Sequence, residues 1–198
     1  MIEITNCPDE IPYSRFNKEY NDAKKLNQEM IQAMCISSYS KKTEEVNSRF
    51  VNLKFVKEKD FIFFSNYDSV KAKEFKECKK ISAIFYWSKT DTQIRIKGKI
   101  SKTSRDFNLR YFASRDYNKN ALAISSNQSK YIDSFEEVIK NFEIVKSKND
   151  LTECPEYWGG FKIRPYCFEF WKGHKSRLNT REIYELNQDK WLHSLLQP

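Results

Sequence analysis

Residues 168 to 181 read F-E-F-W-K-G-H-K-S-R-L-N-T-R, and this stretch predicts a β-hairpin with a short glycine-containing turn. Side chains of a strand alternate between its two faces, so Phe168 and Phe170 should point to one face while Glu169 and Trp171 point to the other. On the return strand, the same alternation puts three polar side chains on one face, namely Arg177, Asn179 and Arg181. The hairpin therefore carries two guanidinium groups on one face, either as solvated charges of an edge hairpin or as part of a binding site.

The length and the glycine content limit the possible folds. The chain has 198 residues, which suits one domain with a substantial core, and 15% of the residues are aromatic and can supply the packing. We expect residues 1–198 to form one domain, with residues 1–30 as an N-terminal helical segment. The 4 glycines form neither a G-x-G-x-x-G nor a P-loop motif. A nucleotide or phosphate should therefore be held by side chains and helix ends.

The charge and the cysteines limit the possible partners and compartments. A formal net charge of +8 predicts an anionic ligand or partner, which could be a phosphorylated small molecule or a nucleic acid. The 5 cysteines are widely spaced without a C-x-x-C motif, and only 2 histidines accompany them, a composition that argues against a zinc site. Reduced thiols suit a cytoplasmic protein. The sequence shows no secretion leader and no long apolar run, so we expect no association with a membrane.

Hydrophobic periodicity and turn residues divide the chain into many short strands interrupted by capped helices. Helices are predicted at residues 13–30, from a cap at Asp68 or Ser69 to Cys78, from Thr103 through Arg115, and at 134–146. Strands are predicted at residues 33–39, 47–57, 61–64, 81–87 and 92–100, with polar connections at 41–46 and 121–131. Leu109 and Phe112 are expected to form a core stripe on the third helix. The fourth helix has an apolar stripe that is expected to be structural, and it consists of Phe135, Val138, Ile139, Phe142 and Val145.

Two helices carry candidate phosphate-binding residues. Lys71 lies in the first turn of its helix, beside free backbone N–H groups and the positive end of the helix dipole, where a phosphate binds well. Tyr111 and Arg115 are four residues apart and should share a helix face, where a phenol and a guanidinium can clamp a phosphate. The alternatives are an ordinary surface helix with a stray lysine, and a packed tyrosine with a solvated arginine.

Two basic strands are also candidates. Arg49 and Lys54 are five residues apart and would face opposite sides of a regular strand, so both can contact one ligand only if the strand is bulged or the ligand wraps an edge. The alternative is two unrelated solvated charges. The strand at 92–100 alternates Arg95, Lys97 and Lys99 with apolar residues, a basic ladder that could also suit a nucleic-acid-binding barrel.

The order and spacing of these motifs resemble the pyridoxamine 5′-phosphate oxidase family. The matching motifs are R-x-x-x-x-K from Arg49 to Lys54, F-S-N-x-x-S-x-K-A from Phe64 to Ala72, Gln93, Y-F-x-S-R from Tyr111 to Arg115, Q-S at Gln128 and Ser129, P-x-x-W-G-G-F from Pro155 to Phe161, and the opening hairpin. The resemblance implies an α+β, β-rich split β-barrel with surrounding helices. It also implies flavin mononucleotide (FMN) as cofactor and a homodimer with FMN at the interface, with no role for nucleic acid or membrane.

The resemblance further implies a reaction and a role for each site residue. A phosphorylated B6 vitamer, pyridoxine or pyridoxamine 5′-phosphate, would be oxidised to pyridoxal 5′-phosphate with oxygen as acceptor and release of hydrogen peroxide. Arg177 would be catalytic, lying against the pyridine ring and orienting the reacting carbon. Together with Arg177, the substrate would be bound by Lys54, Tyr111 and Arg115. FMN would be held by Arg49, Lys54, Phe64, Ser65, Ser69, Lys71, Gln93, Gln128, Ser129, Trp171 and Arg181.

Three residues depart from the family pattern. Val70 replaces an arginine, Lys119 replaces a serine, and Asn179 replaces a histidine that contacts substrate. An asparagine can form hydrogen bonds but does not titrate near neutral pH. The alternatives are therefore a split-barrel flavoprotein oxidase or reductase acting on another aromatic metabolite, a non-catalytic protein that binds FMN or pyridoxal phosphate, and a basic nucleic-acid-binding barrel.

Overall fold

A computed structural model describes residues 1–147 and 150–198, and within them it contains nine β-strands and five α-helices. The strands are β1 (Glu3–Thr5), β2 (Ala33–Ser40), β3 (Glu45–Lys57), β4 (Asp60–Asn66), β5 (Lys80–Trp87), β6 (Thr92–Lys102), β7 (Trp158–Lys172), β8 (Thr180–Asn187) and β9 (Lys190–Leu196). The helices are α1 (Ile11–Lys25), α2 (Val70–Glu77), α3 (Arg105–Ala113), α4 (Tyr117–Ser125) and α5 (Phe135–Lys146).

Six antiparallel strands close into a barrel. The pairing runs from β3 through β2, β5, β6 and β7 to β4, and β4 pairs back to β3. Strands β8 and β9 extend the sheet from β7, and β1 lies parallel to β3. The prediction of an α+β, β-rich split barrel is confirmed.

Strand β7 joins the barrel to the C-terminal hairpin. Its first part, Trp158 to Ile163, pairs with β4, and its last part, Cys167 to Lys172, pairs with β8, while β6 pairs along most of its length. A register shift opposite Lys97 and Gly98 leaves Tyr166 as an extra residue, and such a bulge bends a strand. The P-x-x-W segment before β7 forms a turn, which is closed by a hydrogen bond from the Trp158 N–H to the Pro155 carbonyl at 3.1 Å.

Aromatic side chains fill the barrel. Phe61, Phe85 and Phe168 are fully buried, and α1 covers them with Tyr13 and Phe16, each 1% exposed. The ring of Phe16 meets that of Phe61 edge to face, with their centroids 4.8 Å apart. Because fully burying a side chain of this size contributes about 1.5–3 kcal/mol, the aromatic composition supplies the main packing energy.

The predicted hairpin forms, but its return strand begins later than expected. Phe168 and Phe170 share one face of β7, as predicted, and both are buried in the core. However, β8 starts at Thr180, so Arg177 and Asn179 lie in a loop and their expected place on the strand is wrong. Arg177 has a left-handed φ of 59°, and its N–H donates to the carbonyl of His174 at 2.9 Å instead of pairing with a neighbouring strand.

Two predictions around α3 and α4 are also wrong. Leu109 is 40% exposed, and the buried position on α3 beside Phe112 belongs to Asn108, whose side chain forms a hydrogen-bond network. Residues 121–125, expected in a polar connection, continue helix α4. The side chain of Asp116 caps that helix by accepting from the Lys119 N–H at 3.1 Å.

The apolar stripe of α5 is not in the core. The side chain of Ser134 caps the helix by accepting from the Glu137 N–H at 3.3 Å. However, Phe135 is 71% and Ile139 is 50% exposed, and no residue of α5 is buried. The helix packs chiefly on α4 rather than on the sheet, which explains the exposure. No helix of the described chain is long and apolar enough to cross a bilayer.

Candidate functional site

A cavity of about 750 Å³ opens between β3, β4, α2 and the segment around α3 and α4. It brings together most of the residues that the sequence singled out from scattered positions. The predicted residues that line it are Arg49, Lys54, Phe64, Ser65, Lys71, Tyr111, Arg115, Gln128 and Ser129. Ser69 lies behind this wall and is fully buried.

A bulge in β3 allows Arg49 and Lys54 to line the same cavity. The pairing of β3 with β4 shifts register between Leu53 and Phe55, so that Lys54 is the extra residue. In a regular strand, the two side chains would point to opposite faces. Of the two options that the sequence left open, a bulged strand or a ligand that wraps an edge, the structure contains the bulge.

Lys71 is a buried cation at the start of α2. It is 8% exposed, and its Nζ donates to Ser65 Oγ at 2.9 Å and to Ser69 Oγ at 3.3 Å. Burial lowers the pKa of Lys71 to about 8, and the nearby charge of Arg49 adds to the decrease. Ser69 precedes the helix as predicted, but its hydroxyl donates to the Asn66 carbonyl at 2.7 Å and does not cap the helix. The cavity therefore meets a partly desolvated ammonium group beside two hydroxyls.

A second group of cations lies at the α3–α4 side of the cavity. Burial lowers the pKa of Lys54, and the charges of Lys119 and Arg115 contribute to the decrease. The guanidinium of Arg115 lies 4.4 Å above the ring of Trp158, and its Nη1 is buried without a hydrogen-bond partner among the described residues. An anion in the cavity would reduce the repulsion among these cations and could accept a hydrogen bond from Arg115 Nη1.

The structural relationship between Tyr111 and Arg115 differs from the predicted one. Helix α3 ends at Ala113, so Arg115 lies beyond the helix, and the expectation of a shared helix face is wrong. The two side chains nevertheless line the same cavity, because both pack around Trp158. The ring of Tyr111 also stacks on that of Phe64, with their centroids 4.0 Å apart.

The loop between α4 and α5 supplies Gln128 and Ser129. Ser65 Oγ donates to Gln128 Oε1 at 3.3 Å and so connects the loop to β4. Ser129 has a left-handed φ of 69°. Both residues line the cavity. Because Ser65 Oγ also accepts from Lys71 Nζ, Ser65 links Gln128 to Lys71.

Besides Ser69, four predicted site residues do not line this cavity. Gln93, Trp171 and Arg181 are register partners on three adjacent strands, so they form one row across the outer face of the sheet. Arg181 is fixed there by Glu169, which accepts from its Nε at 2.9 Å. Arg177 follows in the exposed loop before β8. Within one chain, the structure therefore divides the predicted site into a cavity group and an outer-face group.

The three departures from the family pattern lie in different places. Val70 and Lys119 line the cavity. Asn179 lies in the loop before β8, where its Oδ1 accepts a hydrogen bond from the His174 N–H at 3.0 Å. Its side chain is therefore used within the loop.

Sequence reasoning missed Glu74, which lies behind Arg49. This carboxylate is 3% exposed and forms an ion pair with the Arg49 guanidinium, with Nη2 and Oε2 3.0 Å apart. The available signal was its position on α2, where it shares the inward face with Ala72 and Phe75. No group of three or more histidine, cysteine, aspartate or glutamate residues in the described chain could hold a metal ion.

Two protein families match most of the chain between them. Residues 22–149 match the family described as pyridoxamine 5′-phosphate oxidase. Residues 158–198 match the pyridoxine 5′-phosphate oxidase C-terminal dimerisation region.

Curated relatives and solved structures are similar over nearly the whole chain. Proteins named pyridoxine/pyridoxamine 5′-phosphate oxidase are 34% identical in Colwellia psychrerythraea, over 100% of this chain and 89% of the relative, and 35% identical in Aliarcobacter butzleri, over 96% and 91%. PhzG from Burkholderia lata, solved with tetrahydrophenazine-1-carboxylic acid, superposes with a TM-score of 0.91 at 22% identity, covering 96% of this chain and 94% of that chain. An FMN-binding protein from Nostoc punctiforme gives a TM-score of 0.80 at 13% identity, covering 94% and 98%. At these identities, the two structural matches show a shared fold.

Proposed function

This chain belongs to the pyridoxamine 5′-phosphate oxidase family, and we propose that it oxidises pyridoxine or pyridoxamine 5′-phosphate to pyridoxal 5′-phosphate with FMN as cofactor. Oxygen would be the final acceptor, and hydrogen peroxide would be released. The curated relatives carry the name of this activity at 34% and 35% identity, over almost the full length of the chain.

The observation that carries the proposal is a single cavity with unpaired cations in two groups. Lys71 forms one group, and Lys54, Arg115 and Lys119 form the other. Among the described residues, none of the four has a carboxylate oxygen within the 4.0 Å of an ion pair, whereas Arg49 is paired with Glu74. FMN and the substrate each bring one phosphate group, so the reaction needs two anion subsites in one cavity. Unpaired cations in a partly desolvated cavity bind phosphate strongly.

The residues around Lys71 fit the phosphate of FMN. Ser65 and Ser69 place two hydroxyl groups within hydrogen-bond distance of the Lys71 Nζ, and Gln128 adds an amide beside Ser65. When bound, the flavin would supply the acceptor for a hydride from the 4′ carbon of the substrate. The chain's own contribution is binding and orientation. Lys54, Tyr111 and Arg115 would hold the substrate phosphate, and Arg177 would lie against the pyridine ring.

The outer-face residues enter the proposal through self-association. Gln93, Trp171, Arg177 and Arg181 do not line the cavity of their own chain, yet the resemblance assigns them to the same site. The last three lie in the region that matches a dimerisation region of the family. We therefore infer a homodimer in which the outer face of one chain completes the cavity of the other, with FMN at the interface. A two-fold dimer would form two such sites.

A second candidate is a flavoprotein with the same cofactor and another aromatic substrate. Asn179 favours it, because its side chain is used by the loop and does not replace the substrate-contacting histidine of the family pattern. Lys119 also alters the substrate side of the cavity.

The two candidates are separated by a peroxide assay on the FMN-loaded protein, offered pyridoxine 5′-phosphate and pyridoxamine 5′-phosphate separately. Turnover with either substrate supports the proposal. Bound flavin that neither substrate reduces would reject the named reaction and favour another ring-shaped substrate or a binding function. A colourless protein that does not take up FMN and binds nucleic acid in a salt-sensitive manner would reject both candidates.

A further inference from the structure

Glu74 is a buried carboxylate next to the cavity, outside the set of residues that the reaction requires. It is 3% exposed and lies on α2, one turn after Lys71. Buried carboxylates are rare unless they are paired and hydrogen-bonded, because desolvation of the charge is costly. Its position therefore calls for partners, and the structure supplies them from two strands.

Three side chains converge on the Glu74 carboxylate. Arg49 Nη2 lies 3.0 Å from Oε2, and Asn47 Nδ2 donates to Oε1 at 2.8 Å. The hydroxyl of Ser38 also donates to Oε2. These contacts connect α2 to β2 and β3 at the wall of the cavity.

The same network holds the Arg49 guanidinium in one orientation. Its Nη1 donates to the Asn47 carbonyl at 2.9 Å and to the hydroxyl of Ser38, while its Nη2 binds Glu74. Among the described residues, Nε is the only guanidinium nitrogen without a protein partner. A guanidinium bound at two nitrogens is preorganised, which reduces the entropy lost when an anion binds.

Glu74 also acts on Lys71. The charged groups that face Lys71 are Arg49 from β3, which lowers its pKa, and Glu74 from its own helix, which opposes that effect. Ser65 and Ser69 face it as neutral hydroxyls. One carboxylate therefore opposes the effect of Arg49 on the lysine and orients the arginine.

We propose that Glu74 is a positioning residue for anion binding: it fixes the Arg49 guanidinium at the cavity wall and supports the charge of Lys71. It thereby sets the pH range over which the cavity binds the phosphate of FMN. This inference rests on the proposed function, because FMN is the anion assigned to this end of the cavity.

The test is a titration of the apoprotein with FMN from pH 7 to pH 9.5, in the wild type, Glu74→Gln and Glu77→Gln. The lower limit keeps the flavin phosphate in its dianionic form, because its second pKa is about 6. Glu77→Gln is the matched control. Glu77 lies on the same helix but is exposed, and its one hydrogen bond among the described residues is accepted from the Lys41 N–H at 3.1 Å. Flavin fluorescence quenching gives the affinity at each pH.

Wild-type affinity should be constant below about pH 8 and then fall by up to about tenfold per pH unit, because Lys71 must take up a proton on binding. In Glu74→Gln, the fall should begin at a lower pH, because Glu74 raises the pKa of Lys71. The affinity at pH 7 should be roughly tenfold weaker, because Arg49 loses its charged hydrogen-bond partner. Glu77→Gln should follow the wild type. Equal profiles for all three proteins would overturn the inference, as would tighter binding by Glu74→Gln, which would make Glu74 only a neutraliser of Arg49. A wild type that binds no FMN would reject the proposed function and this inference with it.

A second variant separates charge from geometry and covers the case in which Glu74→Gln does not fold. Glu74→Asp keeps the charge but shortens the reach to Arg49 and Asn47. It should bind FMN roughly fivefold more weakly at pH 7, the effect of about one lost hydrogen bond, and keep the wild-type pH midpoint. The pH dependence of acetylation of Lys71 in the apoprotein, measured by mass spectrometry, reports the same midpoint without flavin. Unchanged affinity in Glu74→Asp would overturn the positioning role.

Discussion

The side-chain oxygen of Asn179 accepts a hydrogen bond from the backbone N–H of His174 at 3.0 Å. This contact joins the two ends of the loop before β8. Just before His174, the Gly173 N–H fixes the start of the loop by donating to the Asp91 carbonyl at 2.9 Å. Between these points, Arg177 adopts a left-handed backbone conformation and its N–H returns to the His174 carbonyl. The Asn179 side chain therefore helps to hold the loop that carries Arg177.

Replacing Asn179 should slow the reaction without removing the flavin. We expect Asn179→Ala to lower kcat roughly fivefold, the effect of about 1 kcal/mol for one lost hydrogen bond, with little change in FMN content. Asn179→Asp keeps an acceptor oxygen and should retain most of the activity. Steady-state kinetics with pyridoxine 5′-phosphate, together with flavin absorbance, measure both quantities. A parallel loss of FMN and activity in Asn179→Ala would show that the loop supports the fold rather than Arg177.

Removing the charge of Lys71 should stabilise the apoprotein while abolishing FMN binding. The folded-state pKa of about 8 lies below the ordinary lysine pKa of 10.5, so the unfolded chain binds more protons between these two pH values. The charged ammonium therefore destabilises the folded state fully below about pH 8, and this penalty disappears as the pH rises towards 10.5. We expect the free energy of unfolding of Lys71→Met to exceed that of the wild type most at pH 7 and less at pH 9.5, as measured by urea denaturation.

Lys73→Met is the matched control for this prediction. Lys73 lies on the same helix but is exposed, so its removal should leave stability unchanged at both pH values. Added FMN should raise the Tm of the wild type and of Lys73→Met, but not that of Lys71→Met. A Lys71→Met protein that is less stable than the wild type at pH 7 would contradict the inference that the buried charge of Lys71 destabilises the folded apoprotein.

Gly159 should not tolerate a side chain. A Cβ at this position would lie 2.2 Å from Tyr67 Oη and 2.3 Å from Asn108 Nδ2. Both atoms belong to a buried network in which Asn108 Nδ2 donates to Tyr67 Oη at 3.0 Å, so neither can move freely. We expect Gly159→Ala to reduce the free energy of unfolding by about 1–3 kcal/mol, as for other overpacked sites, in chemical denaturation. A change below about 0.5 kcal/mol would show that this network yields at little cost.

Local patterns in the sequence predicted most strands and most helices, because apolar residues recur with the period that each type of element requires. The spacing of Arg49 and Lys54 required either a bulge in the strand or a ligand that wraps its edge, and the structure contains the bulge. Asn108 shows where such patterns fail. Its side chain accepts from the Gly160 N–H at 2.9 Å, so a polar network takes the buried position that hydrophobicity assigned to Leu109.

The candidate site was only partly predictable for a similar reason. Lys71 and Arg115 could be found by residue type and by family spacing, but the partners of Lys71 and Arg49 depend on how β3, β4 and α2 meet. Glu74 reaches Arg49 across 25 residues of sequence, and no local pattern encodes that contact. The left-handed φ of Arg177 is likewise set by loop hydrogen bonds, whereas strand alternation predicted an extended residue.

Mixing two inactive variants should restore activity if the outer face of one chain completes the cavity of the other. Lys71→Met damages the cavity, and Arg177→Ala damages the outer-face group. Arg177→Ala alone should lower turnover by roughly 100-fold, because it removes a positioning contact, while its FMN content stays near that of the wild type. In a hybrid dimer, the intact cavity of the Arg177→Ala chain would meet the intact Arg177 of the Lys71→Met chain, and one complete site would result.

The hybrid is made by co-expressing the two variants with different tags and purifying the doubly tagged dimer. Because a two-fold dimer holds two equivalent sites, the hybrid should recover about half of the wild-type activity, and a random mixture about a quarter. Each variant co-expressed with itself is the control and should stay inactive. An inactive hybrid that is nevertheless a stable dimer would place Arg177 and Lys71 of the same chain in one site. The cavity group and the outer-face group of one chain would then have to come together within that chain.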